Sequence, residues 1–148
     1  MVYKKVLIAT DGSKQSKKAV ARGLEFAKLC GAKVTALNVA DTTLHIHPST
    51  PGALIAPEDA LSVVRKKLLE IAKTIVDDVA GEGKKLGVEV STLVLEGNPA
   101  HEILEIASKF DLVVLGTQGK SGITRFIIGS VAENVVRHAS VPVLVVRA

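Results

Sequence analysis

Apolar residues along this chain fall into two alternating periodicities. Lys5 leads into a short, nearly continuous apolar run from Val6 to Ala9. Such a run is too short for a helix and suits a strand covered on both faces of a parallel sheet. Val34 to Val39, Val88 to Leu95, Leu112 to Leu115 and Val141 to Arg147 are four further strand candidates. Between them the apolar positions recur at helical spacing. Val20, Leu24, Ala27 and Cys30 form one such stripe, Leu61, Val64, Leu68, Ile71, Ile75 and Val79 a second, Ala100, Ile103, Leu104 and Ala107 a third, and Val131, Val135, Val136 and Ala139 a fourth.

The punctuation agrees with these elements. Gly31 closes the first helix as a left-handed cap, Pro57-Glu58-Asp59 opens the longest one, and Asn98-Pro99 is a cap followed by a proline in the first turn. Gly81, Gly83 and Gly87 are read as the frayed end of the long helix. Residues 40–56 read as a loop broken by Pro48, Pro51 and Gly52. Pro142 cannot donate a ladder hydrogen bond, which places the last strand at a sheet edge or places the proline at its start. Five strands alternating with four helices predict an α/β fold: one Rossmann-like, doubly wound domain over residues 1–148, with a mainly parallel sheet. Its crossovers should be right-handed.

Composition narrows the class. The chain has 148 residues, one domain's worth, with 47% hydrophobic residues. No apolar run approaches the roughly 18 residues needed to span a bilayer. The short run after Lys5 is met at once by Asp11 and does not read as a signal peptide, so a soluble, cytoplasmic protein is expected. A single cysteine, Cys30, makes no internal disulfide and is expected to pack as a small hydrophobe. The formal charge is +4, with lysines scattered in pairs, three Phe, one Tyr and no Trp. Nucleic-acid binding would favour a basic stripe with stacking platforms, so solvated faces are the better account of the pairs.

The chemistry concentrates between Asp111 and Arg147. The loop after Leu112–Leu115 carries Gly116-x2-Gly119-x9-Gly129-Ser130, and the last two residues open a helix. Glycines let a backbone approach a ligand, and a helix N-terminus offers unsatisfied N–H donors to an anion. Ordinary turn and cap chemistry accounts for the same residues equally well. Asp11 and Ser13 likewise read either as caps of the first helix or, for Asp11, as a ligand contact at the carboxyl end of a central strand. Gly119-Lys120-Ser121 resembles the end of a P-loop, but Val114 stands where its first glycine belongs. His101-Glu102-x-x-Glu105 has glutamate where a zinc-protease motif needs histidine, and His45-Ile46-His47 has no further ligand at metal spacing.

The glycine pattern, with LVVLG before it, SVAENVV after it and the terminal PVLVVR, closely resembles the ATP-binding branch of the universal stress protein family. That resemblance implies a strand order of 3-2-1-4-5, which sets Asp11 and Gly116 on either side of the topological switch point. It implies ATP as ligand, with Val39 and Leu115 flanking the adenine and Thr10 lining the same wall. Asp11 would contact the ribose or a bound Mg2+, and Gly116 would lie by the ribose. Gly119, Gly129, Ser130 and Val131 would hold phosphates, and Lys120 and Arg125 would be either phosphate partners or solvated. It also implies a homodimer through the Val141–Arg147 strand. The expected function is a regulatory nucleotide-binding switch with at most slow ATP hydrolysis. The alternatives are an adenine-nucleotide α-hydrolase-type enzyme and a nucleotide-free dimeric interaction module.

Overall fold

A computed structural model describes residues 3–42, 58–118 and 128–148. The elements run β1 (Lys5–Ala9), α1 (Ser16–Cys30), β2 (Lys33–Ala40), α2 (Glu58–Leu86), β3 (Val90–Glu96), α3 (Pro99–Ala107), β4 (Leu112–Gly116), α4 (Ser130–His138) and β5 (Val143–Val146). The strands form one sheet in the order β3-β2-β1-β4-β5, and all four pairings are parallel. Val6 stands opposite Val34 on one side and Leu112 on the other.

The continuous apolar run of β1 follows from its central place. Val6 and Ile8 share a core with Val20 and Leu24 of α1 and Val76 and Val79 of α2. Leu7 and Ala9 share another with Ile103 and Ala107 of α3 and Ala132 and Val135 of α4. A strand covered on both faces cannot alternate with polar residues without burying them.

Two helical stripes differ from the pattern expected. In α2 the buried hydrophobic residues are Ala72, Val76 and Val79, of which Val76 and Val79 join the first core, whereas Val64 and Ile71 are 40% and 44% exposed. The core-facing side thus keeps Val79 from the expected stripe but replaces its earlier members with Val76. Gly81 and Gly83 do not fray it: the helix continues to Leu86 and turns at Gly87, whose φ is 74°. Gly83 is buried against the side chain of Val90, at a close approach of helix and sheet. In α4, Ala132 and Val135 make the buried face while Val136 is 47% exposed.

β5 is an edge strand of half-buried residues. Pro142 lies just before it, and its carbonyl accepts a bond from the Val113 N–H at 3.0 Å. Cys30 packs at the margin of the first core, as do Tyr3 and Phe26, whose rings meet edge-on at 5.5 Å. Among the described residues no helix is long and apolar enough to cross a membrane.

Asp111 has a structural role the sequence did not signal. Its Oδ2 accepts the Lys4 and Lys5 N–H groups, each at 2.8 Å, tying the start of β1 to the start of β4. These two bonds, Lys4 first, favour the ionised form and hold its pKa below the ordinary 3.8. A depressed carboxylate pKa stabilises the fold above the ordinary range, and that contribution is lost as pH falls through the folded-state value. Asp111→Asn should therefore melt below wild type at pH 7, with the gap closing as the solution is taken below about pH 4. Thermal melts of both proteins at pH 7 and pH 3 check this; a gap that widens in acid would contradict it.

Candidate functional site

The carboxyl ends of β1 and β4 diverge from each other because their chains continue to opposite faces of the sheet. That divergence opens a crevice where open α/β sheets bind ligands. Here it is a cavity of about 380 Å³. Its described wall includes Thr10 and Asp11 after β1, Asn38 to Asp41 at and just past the end of β2, and Leu115 to Gln118 at and just past the end of β4. Gly129 to Ala132 at the start of α4 close one side, and Leu68, Ile71, Ala72 and Ile75 of α2 close another.

The turn after β1 is tightly bonded. Thr10 is 8% exposed; its N–H donates to the Leu37 carbonyl at 3.0 Å, and its own carbonyl accepts from Asn38 Nδ2 at 2.8 Å. Gly12 follows with φ +76°, and a Cβ there would come within 2.7 Å of the Ile75 side chain. A left-handed turn pressed under α2 leaves room only for glycine. Asp11 Oδ1 accepts the Ser13 N–H at 2.9 Å, an Asx-type turn. Asp11 is thus not the cap of α1. The residue at the cap position is Gln15, without a side-chain cap bond, and the Ser16 N–H is met by Ser13 Oγ at 3.2 Å.

The other wall corrects an expected donor. The Gly129 N–H donates to the Thr117 carbonyl at 2.6 Å, so it is already committed within the protein. What Gly129 contributes instead is its missing side chain: a Cβ would stand 3.1 Å from the Thr117 oxygen, where β4 and α4 are clasped together. Gly129 is the N-cap, and the helical ladder begins with Glu133 N–H to the Gly129 carbonyl at 3.0 Å. The amides of Ser130, Val131 and Ala132 belong to the first turn, whose N–H groups have no carbonyl four residues back within the helix. They are the donors this end can present to an anion. Ser130 is exposed, with its hydroxyl beside them at the helix start.

Of the expected site residues, Thr10, Asp11, Val39, Leu115, Gly116, Gly129, Ser130 and Val131 all line this one cavity. Gly119 lies outside the described residues, as do Lys120, Arg125, His45 and His47. Four kinds of contributor were not anticipated. Asn38 and Ser16 are buried polar residues, Asp41 brings a second carboxylate, Pro99 and Ile103 come from α3, and α2 supplies an apolar wall. A signal existed for Asn38, a polar residue inside an otherwise largely apolar strand. None existed for the α2 wall, because a hydrophobic stripe does not say whether it faces core or crevice.

Outside the cavity lining, a bidentate ion pair joins α2 to the sheet. Arg65 on α2 grips Glu96 at the end of β3 with two bonds, Nε to Oε1 at 2.6 Å and Nη2 to Oε2 at 2.8 Å. This grip lowers the pKa of Glu96 and raises that of Arg65. Both groups reach solvent, so the pair adds little to stability.

A doubly wound α/β protein with a ligand-sized cavity at its switch point is thus defined by fold and site together. Residues 2–147 match the model of the universal stress protein family, and the chain belongs to that family. Universal stress protein MJ0531 of Methanocaldococcus jannaschii is 38% identical over 148 residues, covering 99% of this chain and 83% of that one. The solved structure of MJ0577, from the same organism, superposes with a TM-score of 0.84 at 29% identity, covering 100% of this chain and 98% of the other. A universal stress protein solved in complex with cAMP superposes with a TM-score of 0.70 at 25% identity, covering 98% and 97%.

Proposed function

We propose that this chain is an ATP-binding regulatory protein whose occupied and empty states are read by a partner, with at most slow ATP hydrolysis. The observation that carries the reading is the cavity, in which an apolar cleft and a helix N-terminus share one floor. Val39 and Leu115 offer apolar faces for a purine, and the first turn of α4 offers donors for phosphate. The complex of a relative with cAMP supports an adenine nucleotide as the ligand class.

The same wall argues for binding rather than rapid turnover. The described groups are helix-end amides and hydroxyls, which can donate to a polyphosphate, and the carboxylates of Asp11 and Asp41, which can meet it only through a cation. A hard oxygen ligand such as Asp11 suits Mg2+, which commonly bridges a carboxylate and substrate phosphates. Its charge would neutralise phosphate beside the carboxylate. The half-buried edge of β5 also fits pairing with a second copy, the homodimer implied by the family resemblance.

Purified protein should release ATP on denaturation, read by anion-exchange chromatography of the supernatant. The emptied protein should rebind ATP with magnesium and hydrolyse it slowly. Rapid turnover would move the protein to the hydrolase class, and no uptake of any adenine nucleotide would make the cavity a structural feature of an interaction module.

A further inference from the structure

Among the described residues three polar side chains are buried, Thr10, Ser16 and Asn38, and all three line the cavity. They form a single hydrogen-bonded chain whose direction can be worked out. Ser16 Oγ donates its one proton to the Ser13 carbonyl at 2.9 Å. The contact between Thr10 Oγ1 and Ser16 Oγ, also 2.9 Å, must then be donated by Thr10. Thr10 Oγ1 in turn accepts the Gly12 N–H at 3.2 Å, and the Thr10 carbonyl takes the Asn38 amide proton at 2.8 Å. Asn38 thus anchors one end of the turn to β2, and Ser16 anchors the other to α1.

Burying polar groups is costly, and satisfied networks of this kind rigidify what they connect. What they connect here is the stretch Thr10–Ser13, which carries Asp11 on the cavity wall. An apolar residue at position 38 would leave the Thr10 carbonyl without that donor. The Thr10 carbonyl lies past the end of β1 at Ala9, where the regular strand ladder no longer serves it.

We propose that Asn38 is a positioning residue for the nucleotide site, acting through the Thr10 carbonyl to hold Asp11 where it meets the ligand. Ser16 performs the same task from the α1 side. The inference rests on the nucleotide reading above, and its test separates the two. ATP affinity in the presence of magnesium is measured by calorimetric titration for wild type, Asn38→Ala, Asp11→Ala and the double variant, well below each melting temperature. Asn38→Ala should weaken ATP about tenfold in the wild-type background and no more than about twofold once Asp11 is gone, since residues in one network are not additive. Ser16→Ala should show the same dependence on Asp11, which keeps the test open if Asn38→Ala folds poorly. Equal losses in both backgrounds would reduce Asn38 to a structural residue and overturn the inference. So would an Asp11→Ala protein that binds as wild type does. Wild-type protein that takes up no adenine nucleotide would overturn the nucleotide reading itself, and this inference with it.

Discussion

Gly129→Glu should lower the affinity for ATP by at least about a hundredfold while leaving the fold intact. The new carboxylate would sit at the N-cap of α4, beside the first-turn amides proposed above to bind phosphate. Two like charges about 4 Å apart repel by about 4 kcal/mol at an effective dielectric of 20. Even half of that, after screening at an open rim, is a loss of more than tenfold, and the side chain also fills the space the glycine leaves. The helix itself does not object, because a negative charge at its N-terminus complements the dipole. The Cβ does press on the Thr117 carbonyl at 3.1 Å, so Gly129→Ala is the control that isolates that contact. Gly129→Ala should bind within a few fold of wild type and Gly129→Glu should not, with matching far-UV spectra for all three proteins. Equal binding by the glutamate variant would remove the α4 terminus from the site. The substitution is informative because charge acts in opposite directions on the helix and on the ligand.

The strands and helices were readable because their patterns have physical causes that act locally. β1 shows an unbroken apolar run because two helical layers cover it, and Gly31 and Asn98 stop or start helices through their own backbone geometry and side-chain bonds. The Asn98 side chain accepts the His101 N–H, the cap its sequence position predicted. The switch point was readable only once the strand order was known, and periodicity does not contain that order. It came from resemblance, and the sheet bears it out.

Long-range partnerships were the part that stayed hidden. Asp111 looked like the residue before a strand, yet its carboxylate is spent on amides more than a hundred positions away. The α2 stripe predicted a buried face, but periodicity sees only one helix at a time. The side of that helix that meets the sheet carries Val76, Val79 and Gly83, the last with no room for a side chain against Val90. The bulkier Leu68, Ile71 and Ile75 were then left to wall the cavity. Similarly, the glycine spacing located one wall of the cavity, while the commitment of the Gly129 N–H to Thr117 depends on two chain segments meeting.

Leu24→Ala should do the reverse of Gly129→Glu, removing stability and sparing the site. Leu24 on α1 is fully buried among Val6, Ile8 and Val20 and does not line the cavity. Truncating a buried leucine costs about 2–5 kcal/mol, more where the surroundings cannot collapse into the space left. Collapse is restricted here. The Leu24 Cδ2 atom lies close to Gly83, 3.5 Å from where a Cβ on that glycine would stand, and Gly83 has no side chain to swing inward. The neighbouring strand β1 is held in register on both sides by β2 and β4, so it cannot shift towards the gap without breaking its ladders. The upper part of the range is therefore expected, a fall in melting temperature of about 6–20 °C at 2–4 °C per kcal/mol. Nucleotide affinity measured well below the transition should stay within about twofold of wild type, because ordering at the switch point depends on the Thr10–Ser16 turn rather than on the depth of the core. A matching loss of affinity would mean that the site and this core open as one cooperative unit.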